Sequence, residues 1–278
     1  MSVGFLALLP MVALAGSSCA TRPAALSPAQ GAAIKERTLT HFAGAFYLKP
    51  SENAATDAAA RRLAPLLLVE AAPTNLIPAQ FQGFGNADLP LNSTGTLVTN
   101  GPIVSLFHQA GQTELNGKSH EQMTYLWSYP KARRDKRETL HTQGVRITLD
   151  STERPVIWEV LADTSGARVI FVSQTLEAQA AREFGAPLAG RRFSIEQPLA
   201  SAPAVVVARV IEDGPVTMGP IIYLQAGTRN VTTINCRCMD SQARELAGHG
   251  EYGLSRLPKP RPDADSGLDL VLRLPREF

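Results

Sequence analysis

The sequence predicts an α+β protein, rich in β structure, with a mainly antiparallel sheet (a meander) and a few short helices packed on it. Three observations carry this expectation. Val145–Asp150 alternates apolar and polar residues, so Val145, Ile147 and Leu149 share one strand face and the other face is expected to be wet. Two more strand-like runs follow, Val156–Ala162 and Val169–Val172, and the turn chemistry at Ser151–Pro155 and Asp163–Gly166 makes the three consecutive strands a meander. The 20 prolines and 21 glycines are spread through 278 residues without a period, which favours many turns and short strands over long helices. A length of 278 residues accommodates one large domain, and a formal net charge of +2 exerts no general pull on nucleic acid.

At the amino terminus, Phe5–Ala15 is an apolar run shorter than the ~20 residues that span a bilayer, and Gly16-Ser17-Ser18-Cys19-Ala20 follows it. Residues 1–20 are therefore expected to be an export signal. Met1–Gly4 departs from the usual pattern in carrying no Lys or Arg. Cys19 lies where bacterial lipoproteins carry their lipidated cysteine, and Leu14-Ala15-Gly16 resembles the start of a lipobox. The spacing differs, because Gly16 stands three residues before the cysteine where the pattern has Leu. Lipidation of Cys19 and cleavage at a small-residue site remain alternatives.

Residues 21–37 read as a tether and a short helix, since Ser27 and Gln30 have capping-box spacing with Pro28 at the first helical position. Residues 38–278 read as a single β-rich α+β domain. Within it, Thr38–Leu48 is expected as the first strand, Asn53–Arg62 as a helical turn and Leu66–Val69 as a strand. Residues 72–102 read as loop, or as strands with long connections. Ile103–Phe107 and Met123–Tyr129 flank an Asn116-Gly117 hairpin signal. After the meander, a helix starts near Thr175, carries Leu176, Ala180 and Phe184 on one stripe, and stops at Gly185. Strands are expected at Arg191–Ile195, Ala204–Ile211, Ile221–Leu224, Val231–Ile234 and Leu268–Leu274, with a short helix from Asp240 to Gly248.

Catalytic signatures are weak. His120-Glu121 opens like a zinc-protease motif, but its last position is Thr124, and Gly248–Gly253 matches G-x-G-x-x-G without the strand before it or the helix after it. That segment reads as a glycine-rich loop. Glu159 is expected on the polar face of its strand and Asp163 at the start of a turn, both structural. Tyr125, Trp127 and Tyr129 alternate on one strand face just before the basic run that contains Arg133 and Arg134. If exposed, the rings would stack on sugars while the cations attract phosphates or carboxylates; if buried, they are core. Cys236 and Cys238 flank Arg237, and with His249 nearby they are candidates for a disulfide, a shared soft metal ion or inert packing.

The leading expectation is an exported cell-envelope protein of binding or structural role. Attachment to the membrane through a lipid on Cys19 and release after cleavage stay alternatives, and the expected partner is an envelope polymer or protein, with no nucleic acid and no cofactor. The alternative is a thiol-redox or metal-handling enzyme that uses Cys236 and Cys238.

Overall fold

The computed structural model describes residues 26–39, 45–51, 57–70, 104–131, 139–201, 205–225, 230–236 and 249–257. Eleven strands among them form one sheet: β1 (Ala45–Pro50), β2 (Leu66–Glu70), β3 (Val104–Leu115), β4 (Lys118–Lys131), β5 (Thr139–Leu149), β6 (Pro155–Leu161), β7 (Arg168–Ser173), β8 (Val205–Ile211), β9 (Ile221–Leu224), β10 (Val231–Asn235) and β11 (His249–Arg256). The helices are α1 (Pro28–Arg37), α2 (Ala58–Arg62) and α3 (Gln174–Phe184), with 3-10 turns η1 (Ser194–Glu196) and η2 (Pro198–Ser201). None of these helices is long and apolar enough to cross a membrane.

Local chemistry explains the best-read elements. Asn116 and Gly117 take φ of +53° and +72°, and this left-handed pair folds β3 onto β4 in a tight hairpin with Leu115 opposite Lys118. Ser27 Oγ accepts from the Gln30 amide while Gln30 Oε1 accepts from the Ser27 amide, so the capping box that starts α1 is complete. Ser173 caps α3, and Gly185 ends it at φ +83°.

The expected meander exists as β5 to β7, and the antiparallel run extends back through β4 to β3. The sheet as a whole is mixed, which corrects the mainly antiparallel expectation. Its order is β10-β9-β2-β1-β11-β3-β4-β5-β6-β7-β8, and four pairings are parallel: β2 with β9, β1 with β11, β11 with β3, and β7 with β8. The physical reason for the last is α3. It leaves β7, packs on the outer face and returns the chain in the same direction, a crossover that can only make a parallel pair.

The sheet curls almost into a barrel. Asn230, just before the edge strand β10, donates from Nδ2 to Thr164 Oγ1 in the β6–β7 turn at 2.6 Å. Cys236, just after β10, lies against Gly214, beyond the opposite edge strand β8. Residues from every strand then meet in one interior cluster, including Leu48, Leu67, Leu106, Tyr125, Val145, Trp158, Phe171, Ala208, Ile222, Ile234 and Leu254. α1 packs along β8 and adds Ile34 to the same core. An outer cluster forms where Leu176 and Ala180 of α3 cover Ile157, Ile170, Val172 and Val207.

Four further expectations are corrected. The second face of β5 is not wet: Arg146 is 5 % and Thr148 1 % exposed. Here Glu159 on β6 accepts from Arg146 at 3.2 Å and from Arg168 Nη2 at 2.6 Å, so the outer face holds a buried ion-pair ladder. Arg191–Ile195 is not a strand, because side-chain carboxylates occupy its backbone donors: Glu196 accepts from the Arg192 and Phe193 amides, and Glu177 from those of Ser194 and Ile195. His249–Gly253 is not a loop, since these residues lie in β11, which pairs in parallel with β1 along His249–Tyr252 and with β3 along Tyr252–Arg256. Thr38 ends α1, and the first strand begins later than expected, at Ala45.

Candidate functional site

A cleft of about 640 Å³, of a size to take a small ligand, lies between α1, the 190–196 segment and the start of β8. One wall is Ser27, Gly31, Lys35 and Glu36 on α1; the other is Gly190, Arg191, Arg192 and Glu196, with Val205 and Val206 of β8 behind. Its keystone is Glu196, whose side chain is 1 % exposed. One carboxylate oxygen accepts from Lys35 Nζ at 2.6 Å and the other from the two amides of Arg192 and Phe193, at 2.8 and 3.0 Å. The buried charge is thus fully hydrogen-bonded, and it fixes the segment on which both arginines stand.

A second ion pair holds the far end of α1. Arg37 Nη2 meets Asp163 Oδ2 at 2.6 Å, and Asp163 is also bonded by the Ser165 amide and hydroxyl. Asp163 therefore starts its turn as expected and clamps α1 as well. The Phe193 ring carries Lys35 and Arg192 at 5.9 Å each, a distance at which a cation is drawn to a ring face. Three cations line the cleft against Glu36 and Glu196, and Arg192 forms no ion pair among the described residues.

The described residues among those singled out from the sequence, Tyr125, Trp127 and Cys236, do not line this cleft. Tyr125 and Trp127 are each 0 % exposed and point into the barrel core, so they do not form an exposed stacking surface. Tyr125 instead donates its hydroxyl to Ala60 O at 2.6 Å, tying β4 to α2, and burial pushes that hydroxyl far above its ordinary pKa. Tyr129 belongs to β4, but its side chain, like that of His249 in β11, lies outside the described residues. Arg133, Arg134, Cys19, Cys238 and the expected elements at 240–248 and 268–274 also lie outside them. His120 is buried, with Nδ1 3.1 Å from Leu149 O, and burial lowers its pKa.

Cys236 is disulfide-bonded, to a partner outside the described residues. It lies on the wall of a second, small cavity of about 40 Å³, with Arg154, Trp158, Glu212, Asp213 and Met218. No group of three His, Cys, Asp or Glu side chains converges among the described residues. The interior holds a polar pair that the sequence did not reveal. Gln143 pairs with Trp127 across β5 and β4, both are 0 % exposed, and among the described residues neither the Gln143 amide atoms nor Trp127 Nε1 has a hydrogen-bond partner.

Sequence reasoning missed the cleft because its residues come from segments far apart in the chain. Two local signals existed: the Arg191-Arg192 pair, and Gly31 inside an otherwise good helix. Comparison with protein-family models, with curated proteins and with solved structures finds no match.

Proposed function

We propose that this chain is an exported cell-envelope protein with a binding role, tethered to a membrane surface by a lipid on Cys19 and presenting the near-barrel as a rigid scaffold. The observation that carries the reading is the oxidised state of Cys236. Disulfides persist in oxidising compartments and are rare where glutathione keeps thiols reduced, which agrees with the apolar Phe5–Ala15 run and the small residues after it. Leu26, which lines the 640 Å³ cleft, follows directly on the amino-terminal segment, so tether and binding cleft adjoin. An anionic envelope polymer is the partner that the lining side chains suit. Cell fractionation followed by intact mass spectrometry tests the proposal: the expected product begins after the apolar segment and carries a diacylglycerol adduct on Cys19. An intact Met1 on a soluble cytoplasmic species overturns it.

A second reading, thiol-redox chemistry at Cys236 and Cys238, is favoured by the place of Cys236 on a cavity wall beside Glu212 and Asp213. The reduction potential of the Cys236 disulfide separates the two. A value near those of redox proteins, roughly −120 to −270 mV, supports chemistry, and one below about −300 mV supports a structural bond.

A further inference from the structure

We infer that the cleft between α1 and the 190–196 segment is a binding site for an organic phosphate, a phosphate ester of a small polyol or sugar. The inference deepens the binding role proposed above by naming the ligand class.

The charge arrangement is the first argument. Glu196 is saturated by Lys35 and two backbone amides, so it neutralises Lys35 but has little left for Arg191, whose Nη1 stands 3.9 Å away. Arg192 has no carboxylate among the described residues. Two neighbouring guanidinium groups therefore stand on a rigid backbone segment with their forks unoccupied by a close carboxylate. Each fork donates two parallel N–H bonds to an oxyanion. A lone carboxylate matches one fork, whereas a phosphate offers three strong acceptor oxygens and serves both.

Size is the second argument. At about 640 Å³ the cleft falls within the range of small-molecule sites and has room for an organic group beside the phosphate. Ser27 and Glu36 on the helix wall offer hydroxyl-binding groups for that part.

Gly31 is the third and independent argument. It sits inside α1, where glycine weakens a helix relative to alanine, yet a Cβ there would meet nothing within 4 Å. Packing does not demand glycine at this position. An unobstructed helix wall facing the cleft does, because it lets a ligand approach the backbone.

The test uses purified, disulfide-intact protein and titration calorimetry with inorganic phosphate, glycerol 1-phosphate and glycerol, and with vesicles containing phosphatidylglycerol. Glycerol 1-phosphate is expected to bind more tightly than inorganic phosphate, and glycerol not at all. Binding of the soluble ester identifies a small ligand, and binding seen only with vesicles identifies a lipid headgroup as the source of the same group. The Arg191→Ala/Arg192→Ala variant should lose at least about tenfold in affinity. Gly31→Leu fills the cleft without altering charge and favours the helix, so it should lose affinity to a similar degree while Tm holds or rises. Failure of every phosphate probe to bind in the millimolar range, or binding that survives Gly31→Leu, overturns the inference. Because no step depends on compartment, such a failure leaves the fractionation result standing, and the reverse also holds.

Discussion

The two halves of the sheet are built differently. From β3 to β7 each strand pairs with its neighbour in sequence, through short turns such as Asn116-Gly117 and Asp163–Gly166. On the other side, β10-β9-β2-β1-β11 joins strands from the beginning and the end of the described chain, with Tyr47 opposite His249 and Leu66 opposite Ile221. Both halves line the same core. They differ in what specifies them: local turn chemistry for the meander, and mutual burial of distant segments for the rest. Because loop-closure entropy opposes long-range pairing before any contact rewards it, the meander is expected to form first.

Large-to-small substitutions probe that order with the largest effects. Trp158, in the meander, and Leu67, in β2, are both buried in the interior core. Trp158→Ala should cost about 3–5 kcal/mol and Leu67→Ala about 2–5 kcal/mol, read from denaturant unfolding. The kinetic signatures should differ, with Trp158→Ala mainly slowing refolding and Leu67→Ala mainly speeding unfolding. Identical partitioning in both variants would break the contrast.

A close backbone approach gives the next effect. A Cβ on Gly219 would stand 2.3 Å from the carbonyl oxygens of Leu63 and Ala64, where the connection into β9 crosses the start of β2. Gly144 makes the corresponding approach within the meander, 2.3 Å from Tyr125 O. Gly219→Ala and Gly144→Ala should each destabilise by about 1–3 kcal/mol. If the long-range half is the later one to form, the Gly219 variant should lose β2–β9 protection before the meander loses any.

This contrast also explains what the sequence could and could not show. Ser27 with Gln30, Asn116-Gly117, and Leu176, Ala180 and Phe184 ahead of Gly185 are signals complete within about a dozen residues, and each became the element expected. β11 was missed because Gly250 and Gly253 are poor strand formers on their own. The strand exists because β1 pairs with its first half and β3 with its second. The spacing of Tyr125 and Trp127 showed that they share a face, but a period of two cannot say which face is covered. Arg191–Ile195 looked extended, and only the fold brings Glu177 and Glu196 to its amides. The cleft has the same origin, as Lys35, Arg192 and Glu196 acquire their joint meaning only when α1 docks.

The smallest effect is a pH dependence. His108 in β3 and His120 in β4 are buried, and desolvation, the largest cause in each, lowers their pKa from the usual 6.5. Protonation therefore favours the unfolded chain. Their contribution to stability is intact above pH 6.5 and is lost as pH falls from there toward their depressed folded values. Tm measured from pH 7 downward should decline across this window, and the slope should shrink in His108→Asn and His120→Asn.

Whether β11 is an interior strand is decided by amide hydrogen exchange across residues 249–257. Paired with β1 along His249–Tyr252 and with β3 along Tyr252–Arg256, its ladder-bonded amides are expected to exchange as slowly as the ladder-bonded amides of β4. Exchange of this segment at the rate of an open loop would contradict the mixed, curled sheet on which the whole description stands.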